Sequence, residues 1–159
     1  MITVFKYKFS KELSFLLAEI MKKQFDYFFG KKFFPDNFII VPVPIHKKRL
    51  KQRGFNQIEI LCKNVFGLSR ITDCLTRNIH SENQAHLSKK NRLKNLKNAF
   101  SLKTKYKKII KNKSVLLIDD VCSTGATLNE CSKTLKQNGA KFVCGFVIAR
   151  GKILKNMPK

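Results

Sequence analysis

Acidic side chains are scarce in this sequence: 10 Asp and Glu stand against 33 Lys and Arg in 159 residues, and tryptophan is absent. The resulting formal net charge of +23 favours polyanionic partners such as nucleic acid, nucleotides or a membrane surface, and says little about fold. Codon bias toward lysine, asparagine and isoleucine would give the same imbalance, so charge alone does not establish phosphate binding. Long apolar runs are also missing. No stretch approaches the ~20 apolar residues of a membrane span. The N-terminus has no basic head followed by an apolar run and a small-residue cleavage site, so a cytoplasmic location is expected. The five cysteines, Cys62, Cys74, Cys122, Cys131 and Cys144, include no C-x-x-C pair. That excludes the close ligand pair of a zinc site and reads as reduced, mostly buried thiols. His80 and His86 lie near Cys74, but no tight pair anchors a cluster there, and no metal held by protein ligands alone is expected.

With 43% apolar side chains, a chain of this length buries one core and hardly two. The expected plan is one α/β domain over residues 1–150, with a hood or flap at about 77–105 and a polar tail at 151–159. Ile2 to Tyr7 alternates weakly as a strand, and Leu13, Leu16, Leu17, Ile20 and Phe28 fall at helical spacing. Phe38 to Val43 is a β-branched run that must end near Pro42 and Pro44. A basic loop from His46 to Arg53 follows, then a helix from Phe55 to Phe66 stopped by Gly67. From Asn83 to Ile118 there is no acidic residue, and this positive segment reads as a flap. Within it Ser88 to Leu96 is a short helix, Asn98 to Leu102 a short strand and Lys103 to Lys113 a solvated turn or loop. Ser114 to Ile118 is an apolar strand, Gly125 to Asn138 a helix stopped by Gly139, and Phe142 to Ile148 another apolar strand. Buried strands alternating with helices predict a mainly parallel sheet with flanking helices.

The chemistry lies between Val115 and Thr127, where an apolar strand ends in Asp119 and Asp120 and turns through Ser123, Thr124, Gly125 and Ala126 into a helix. The loop after a parallel strand sits over the sheet edge, where open α/β folds bind ligands. The helix behind it offers unpaired backbone N–H groups and its positive dipole end to an anion. Gly125 allows close approach of the backbone, and the hydroxyls of Ser123, Thr124 and Thr127 add donors, which makes a monophosphate cradle. The two carboxylates would repel phosphate but accept hydrogen bonds from the vicinal hydroxyls of a ribose. Together they describe a ribose 5-phosphate site. A helix-capping loop, or a magnesium site in a phosphatase or receiver-like fold, explains fewer of these residues, and a Walker loop would need a lysine after its last glycine. Arg49, Lys51 and Arg53 offer charge to a polyphosphate, although a solvated basic face explains any one of them equally well. Cys122 has no evident base beside it and reads as a loop-filling thiol.

The window from 115 to 127 resembles the phosphoribosyl-pyrophosphate motif of type I phosphoribosyltransferases, and two further blocks resemble their ComF branch. These are Val41-Pro-Val-Pro-Ile-His46 with Arg49 and Arg53-Gly54-Phe55-Asn56-Gln57, and then Gln84, Leu87, Ser88, Arg92, Asn95 and Ala99-Phe100. The resemblance implies that Asp119 and Asp120 meet the ribose hydroxyls and Ser123 to Thr127 the 5-phosphate. It places the backbone after Pro44 near the pyrophosphate and puts Lys89, Lys90 and Arg92 in a flap that closes over the substrate. Magnesium would arrive with phosphoribosyl pyrophosphate. The four-cysteine zinc module of many ComF relatives has no counterpart here, so zinc is not expected. Two functions stay open: transfer of the phosphoribosyl group to an acceptor, linked to DNA uptake, or ligand sensing or single-stranded nucleic-acid binding without catalysis. Few aromatics interleave the basic runs, which weakens the nucleic-acid reading. A homodimer is compatible with either.

Overall fold

The computed structural model describes residues 11–30, 38–79, 96 and 98–150. The expected strand at Ile2 to Tyr7, nearly all of the expected helix at Ser88 to Leu96, and Lys89, Lys90 and Arg92 lie outside the described residues. Helix α1, Lys11–Phe29, precedes strand β1, Ile39–Pro42. Helices α2, Lys47–Arg53, and α3, Gln57–Phe66, follow. Strand β2, Leu75–Arg77, pairs antiparallel with β3, Phe100–Leu102. A 3-10 turn at Thr104–Tyr106 leads into α4, Lys107–Ile110. Strand β4, Ser114–Cys122, helix α5, Ala126–Gln137, and strand β5, Phe142–Arg150, complete the order.

The main sheet has the order β1-β4-β5, and both pairings are parallel. Its central strand β4 is apolar on both faces because each face carries its own core. Val115 and Leu117 pack with Val41, Cys131 and Leu135 on the α5 side, whereas Leu116 and Ile118 pack with Leu17, Met21, Ile58 and Leu61 under α1 and α3. This period of two is what a strand buried on both faces requires. The hydroxyl of Thr134 on α5 donates to the Phe100 carbonyl at 3.4 Å and to the Glu130 carbonyl at 3.0 Å, tying the β2–β3 pair to the α5 face.

Two sequence expectations fail on the basic segments. His46 to Arg53 is not a loop: Lys47–Arg53 is helical, capped by His46, whose Nδ1 accepts from the Lys48 N–H at 3.2 Å, and by Gly54. Gly54 sits at φ +78°, the left-handed region that a glycine enters without penalty. Lys103 to Lys113 is not wholly solvated either, because its short helix plants Ile110, 0% exposed, in the α5-side core. β1 does end at its prolines, although the Val43 N–H still donates to the Ile118 carbonyl at 2.8 Å.

Candidate functional site

At the carboxyl ends of β1 and β4 lies a cleft of about 130 Å3. Pro44 and Ile45 from the β1–α2 connection, Arg49 and Arg53 from α2, Asn56 and Gln57 from α3, Arg77 from β2, Asp119 and Asp120 from β4 and Thr127 from α5 line it. Parallel strands deliver their carboxyl ends to one edge, so residues far apart in sequence meet there.

Both carboxylates lie within β4, which runs on to Cys122 because Val121 and Cys122 still pair with Ala149 and Arg150 of β5. Alternation then turns the two side chains to different surroundings. Asp120 is buried and accepts from Gln57 Nε2 at 3.1 Å and from the Val121 N–H at 2.7 Å. Asp119 is half-buried and accepts from the Asp120 N–H at 2.9 Å. Beyond the strand, Gly125 at φ +77° opens α5, and Thr124 Oγ1 accepts from the Ala126 N–H at 3.4 Å. The first turn of α5 faces the same edge of the sheet through Thr127.

On the opposite wall, Gln57 Oε1 accepts from the Arg53 guanidinium at 3.3 Å. Asn56 caps α3 by accepting from the Ile58 N–H at 3.2 Å, and its own amide donates to the Val43 carbonyl at 3.2 Å. That bond fixes α3 against the end of β1. Arg77 lies with its guanidinium over the Phe100 ring, 5.6 Å from the centroid. Burial, and after it the nearby Arg49 guanidinium, lowers the Arg77 pKa, while Cys131 and Asp119 act in the opposite sense. The site therefore sets basic and acidic groups face to face.

Of the residues singled out from sequence, Asp119, Asp120, Thr127, Arg49 and Arg53 share the cleft. Ser123, Thr124, Gly125 and Ala126 form the turn beside it without lining it, and Lys51 points outward on the exposed face of α2. Arg77 carried no sequence signal, since β2 is only three residues long and its ladder partner Phe100 is distant in sequence. Gln57 stood in a quoted block but without a role.

The phosphoribosyl transferase domain family matches residues 74–157, which span the carboxylate pair and the α5 turn. The chain belongs to this family, in its ComF branch. It is 38% identical over 114 residues to Competence protein F of Haemophilus influenzae, a match covering 70% of this chain and 49% of that protein. It is 36% identical over 117 residues to DNA utilization protein YhgH of Escherichia coli K12, covering 70% of this chain and 48% of that protein. Competence protein ComFC of Bacillus subtilis matches at 30% over 153 residues, 93% of this chain and 58% of that protein. The first two matches span about half the length of those relatives. Among solved structures, a hypoxanthine phosphoribosyl transferase of Trypanosoma cruzi superposes with a TM-score of 0.51 at 15% identity, covering 94% of this chain and 70% of that one. An allosteric regulatory enzyme of purine biosynthesis gives 0.51 at 15% identity over 85% of this chain and 25% of that one. At such identities the likeness shows the fold: a type I phosphoribosyltransferase-like sheet with flanking helices.

Proposed function

We propose that the cleft binds phosphoribosyl pyrophosphate and that this ComF-family domain acts as a phosphoribosyltransferase. The observation that carries the reading is the pairing of two carboxylates with Arg49 and Arg53 across one small cleft at the sheet edge. Asp119 and Asp120 accept hydrogen bonds from the ribose hydroxyls, and Ser123 to Thr127 receive the 5-phosphate at the start of α5. Arg49 and Arg53 face the diphosphate as charged forks. The reaction breaks the bond from C1 to the diphosphate oxygen, which leaves with the electron pair, while a lone pair of the acceptor forms the new bond to C1. Positive charge develops on the sugar in between, and the neighbouring carboxylates stabilise it. The protein's main work is to position the reactants and neutralise charge, and no protein nucleophile is needed. Magnesium bound to the diphosphate would take most of its ligands from substrate oxygens and water, Asp119 or Asp120 would supply at most one carboxylate, and the ion would neutralise charge on the leaving diphosphate.

Calorimetric titration with phosphoribosyl pyrophosphate and magnesium tests this reading, with the Asp119→Asn, Asp120→Asn double variant as control. Saturable binding by the native chain, lost in a folded variant, is the expected result; equal binding by both would overturn it. A second reading draws on the likeness to YhgH, a DNA utilization protein, and on the exposed Lys47, Lys48 and Lys51 of α2. If these lysines bind single-stranded nucleic acid, affinity for an oligonucleotide falls steeply and linearly on a log scale with salt.

A further inference from the structure

The block Arg53-Gly54-Phe55-Asn56-Gln57 joins the two halves of the cleft through one side chain. Gln57 is 4% exposed and Asp120 7% exposed, so neither is solvated by bulk water. The Gln57 amide spans them from α3: its Nε2 donates to Asp120 Oδ2 at 3.1 Å and its Oε1 accepts from Arg53 at 3.3 Å. A guanidinium can only donate and an ionised carboxylate can only accept, so a side chain bridging them must offer an acceptor to one and a donor to the other. An amide does both; a carboxylate, a lysine or an apolar side chain does not. The rest of the block holds this bridge in place. Gly54 at φ +78° ends α2, and Asn56 bolts the start of α3 to the Val43 carbonyl.

We propose that Gln57 is a positioning residue that couples the diphosphate-side Arg53 to the ribose-side Asp120. The inference rests on the phosphoribosyl pyrophosphate reading and gives it a device: the orientation of the ribose carboxylate is set from the wall that meets the diphosphate. Gln57 acts through its neighbours, because its amide is turned toward Arg53 on one side and Asp120 on the other.

The test uses ribose 5-phosphate, which lacks the diphosphate, beside phosphoribosyl pyrophosphate with magnesium, both by calorimetry. Gln57→Met keeps the length and removes the amide. It should bind ribose 5-phosphate about tenfold more weakly, the worth of one hydrogen bond to a charged group. Arg53→Ala should also weaken ribose 5-phosphate, by less than Gln57→Met, since Arg53 reaches the sugar only by holding the Gln57 amide against Asp120. With phosphoribosyl pyrophosphate the Arg53→Ala, Gln57→Met pair should lose less affinity than the product of the single losses, the mark of coupled groups. Gln57→Glu keeps an acceptor for Arg53 but sets a carboxylate against Asp120, and should weaken ribose 5-phosphate more than Gln57→Met. Should Gln57→Met not fold, Gln57→Glu alone decides. Native affinity in a folded Gln57 variant, or losses that simply multiply, would overturn the coupling. Failure of the native chain to bind either ligand would instead remove the functional reading beneath it.

Discussion

The same substitution at two adjacent carboxylates should have very different effects on stability. Asp120 is 7% exposed and accepts from Gln57 Nε2 at 3.1 Å and the Val121 N–H at 2.7 Å. Asparagine at this position has one acceptor oxygen and one donor group, so it cannot accept from both. Whichever way the amide turns, one buried donor faces another. Losing a hydrogen bond to a charged group costs about 2 kcal/mol, and in a domain of this size each kcal/mol lowers Tm by about 2–4 °C. Asp120→Asn should therefore melt about 4–8 °C below the native protein. Asp119 is half-buried and accepts from the Asp120 N–H, a bond that an asparagine oxygen can still accept. Asp119→Asn should stay within about 0.5 kcal/mol of native stability. Far-UV circular dichroism melts of both variants in one buffer measure the difference. Equal shifts, or a larger loss at Asp119, would refute the assignment of Asp120 as the buried, bonded member of the pair.

Three further outcomes follow from the packing and the backbone. Leu117→Ala empties a site that is 1% exposed in the α5-side core and should lower the urea midpoint by the equivalent of about 2–5 kcal/mol with an unchanged slope. Gly125→Ala should cost about 1–2 kcal/mol through backbone strain alone, because φ is +77° while an added Cβ would meet nothing closer than 4.0 Å; Gly125→Asn should cost less, and thermal melts of the pair check both. Burial pushes the pKa of the Cys74 thiol up to about 12, well above the ordinary thiol range, and raises Cys62 and Cys131 as well. The folded state thus keeps protons that the unfolded state releases. The stability these thiols contribute is complete below about pH 9 and is lost as pH rises toward about 12, so urea midpoints should fall across that interval and fall less in a Cys74→Ala variant.

Much of the fold was legible because its signals are local. The apolar run of β4, the Val-Pro-Val-Pro end of β1 and the Gly67 and Gly139 stops each act over a few residues, and α3, α5 and β5 lie where periodicity puts them. What escaped depends on distance. The extension of β4 through Asp119 and Asp120 to Cys122 comes from pairing with β5, which no local pattern announces. Helix α2 was hidden because Lys47–Arg53 has one apolar residue, Leu50, itself 43% exposed; its caps, not its periodicity, define it. Asp119, Asp120 and Thr127 could be found from one strand-turn-helix window, and Arg49 and Arg53 from their charge. Gln57 could not be given a role, since its partner Asp120 lies 63 residues away, nor could Arg77, which reaches the cleft only through the β2–β3 ladder.

One cleft is proposed to hold a ribose 5-phosphate with its sugar hydroxyls on the β4 carboxylates and its diphosphate toward α2. A crystal structure of the chain with phosphoribosyl pyrophosphate and magnesium would locate the ligand. The expected result is the 5-phosphate against Ser123 to Thr127, the ribose hydroxyls within hydrogen-bond distance of Asp119 and Asp120, and the diphosphate facing Arg49 and Arg53. Ligand density elsewhere on the molecule, or a sugar phosphate reversed in the cleft, would contradict it.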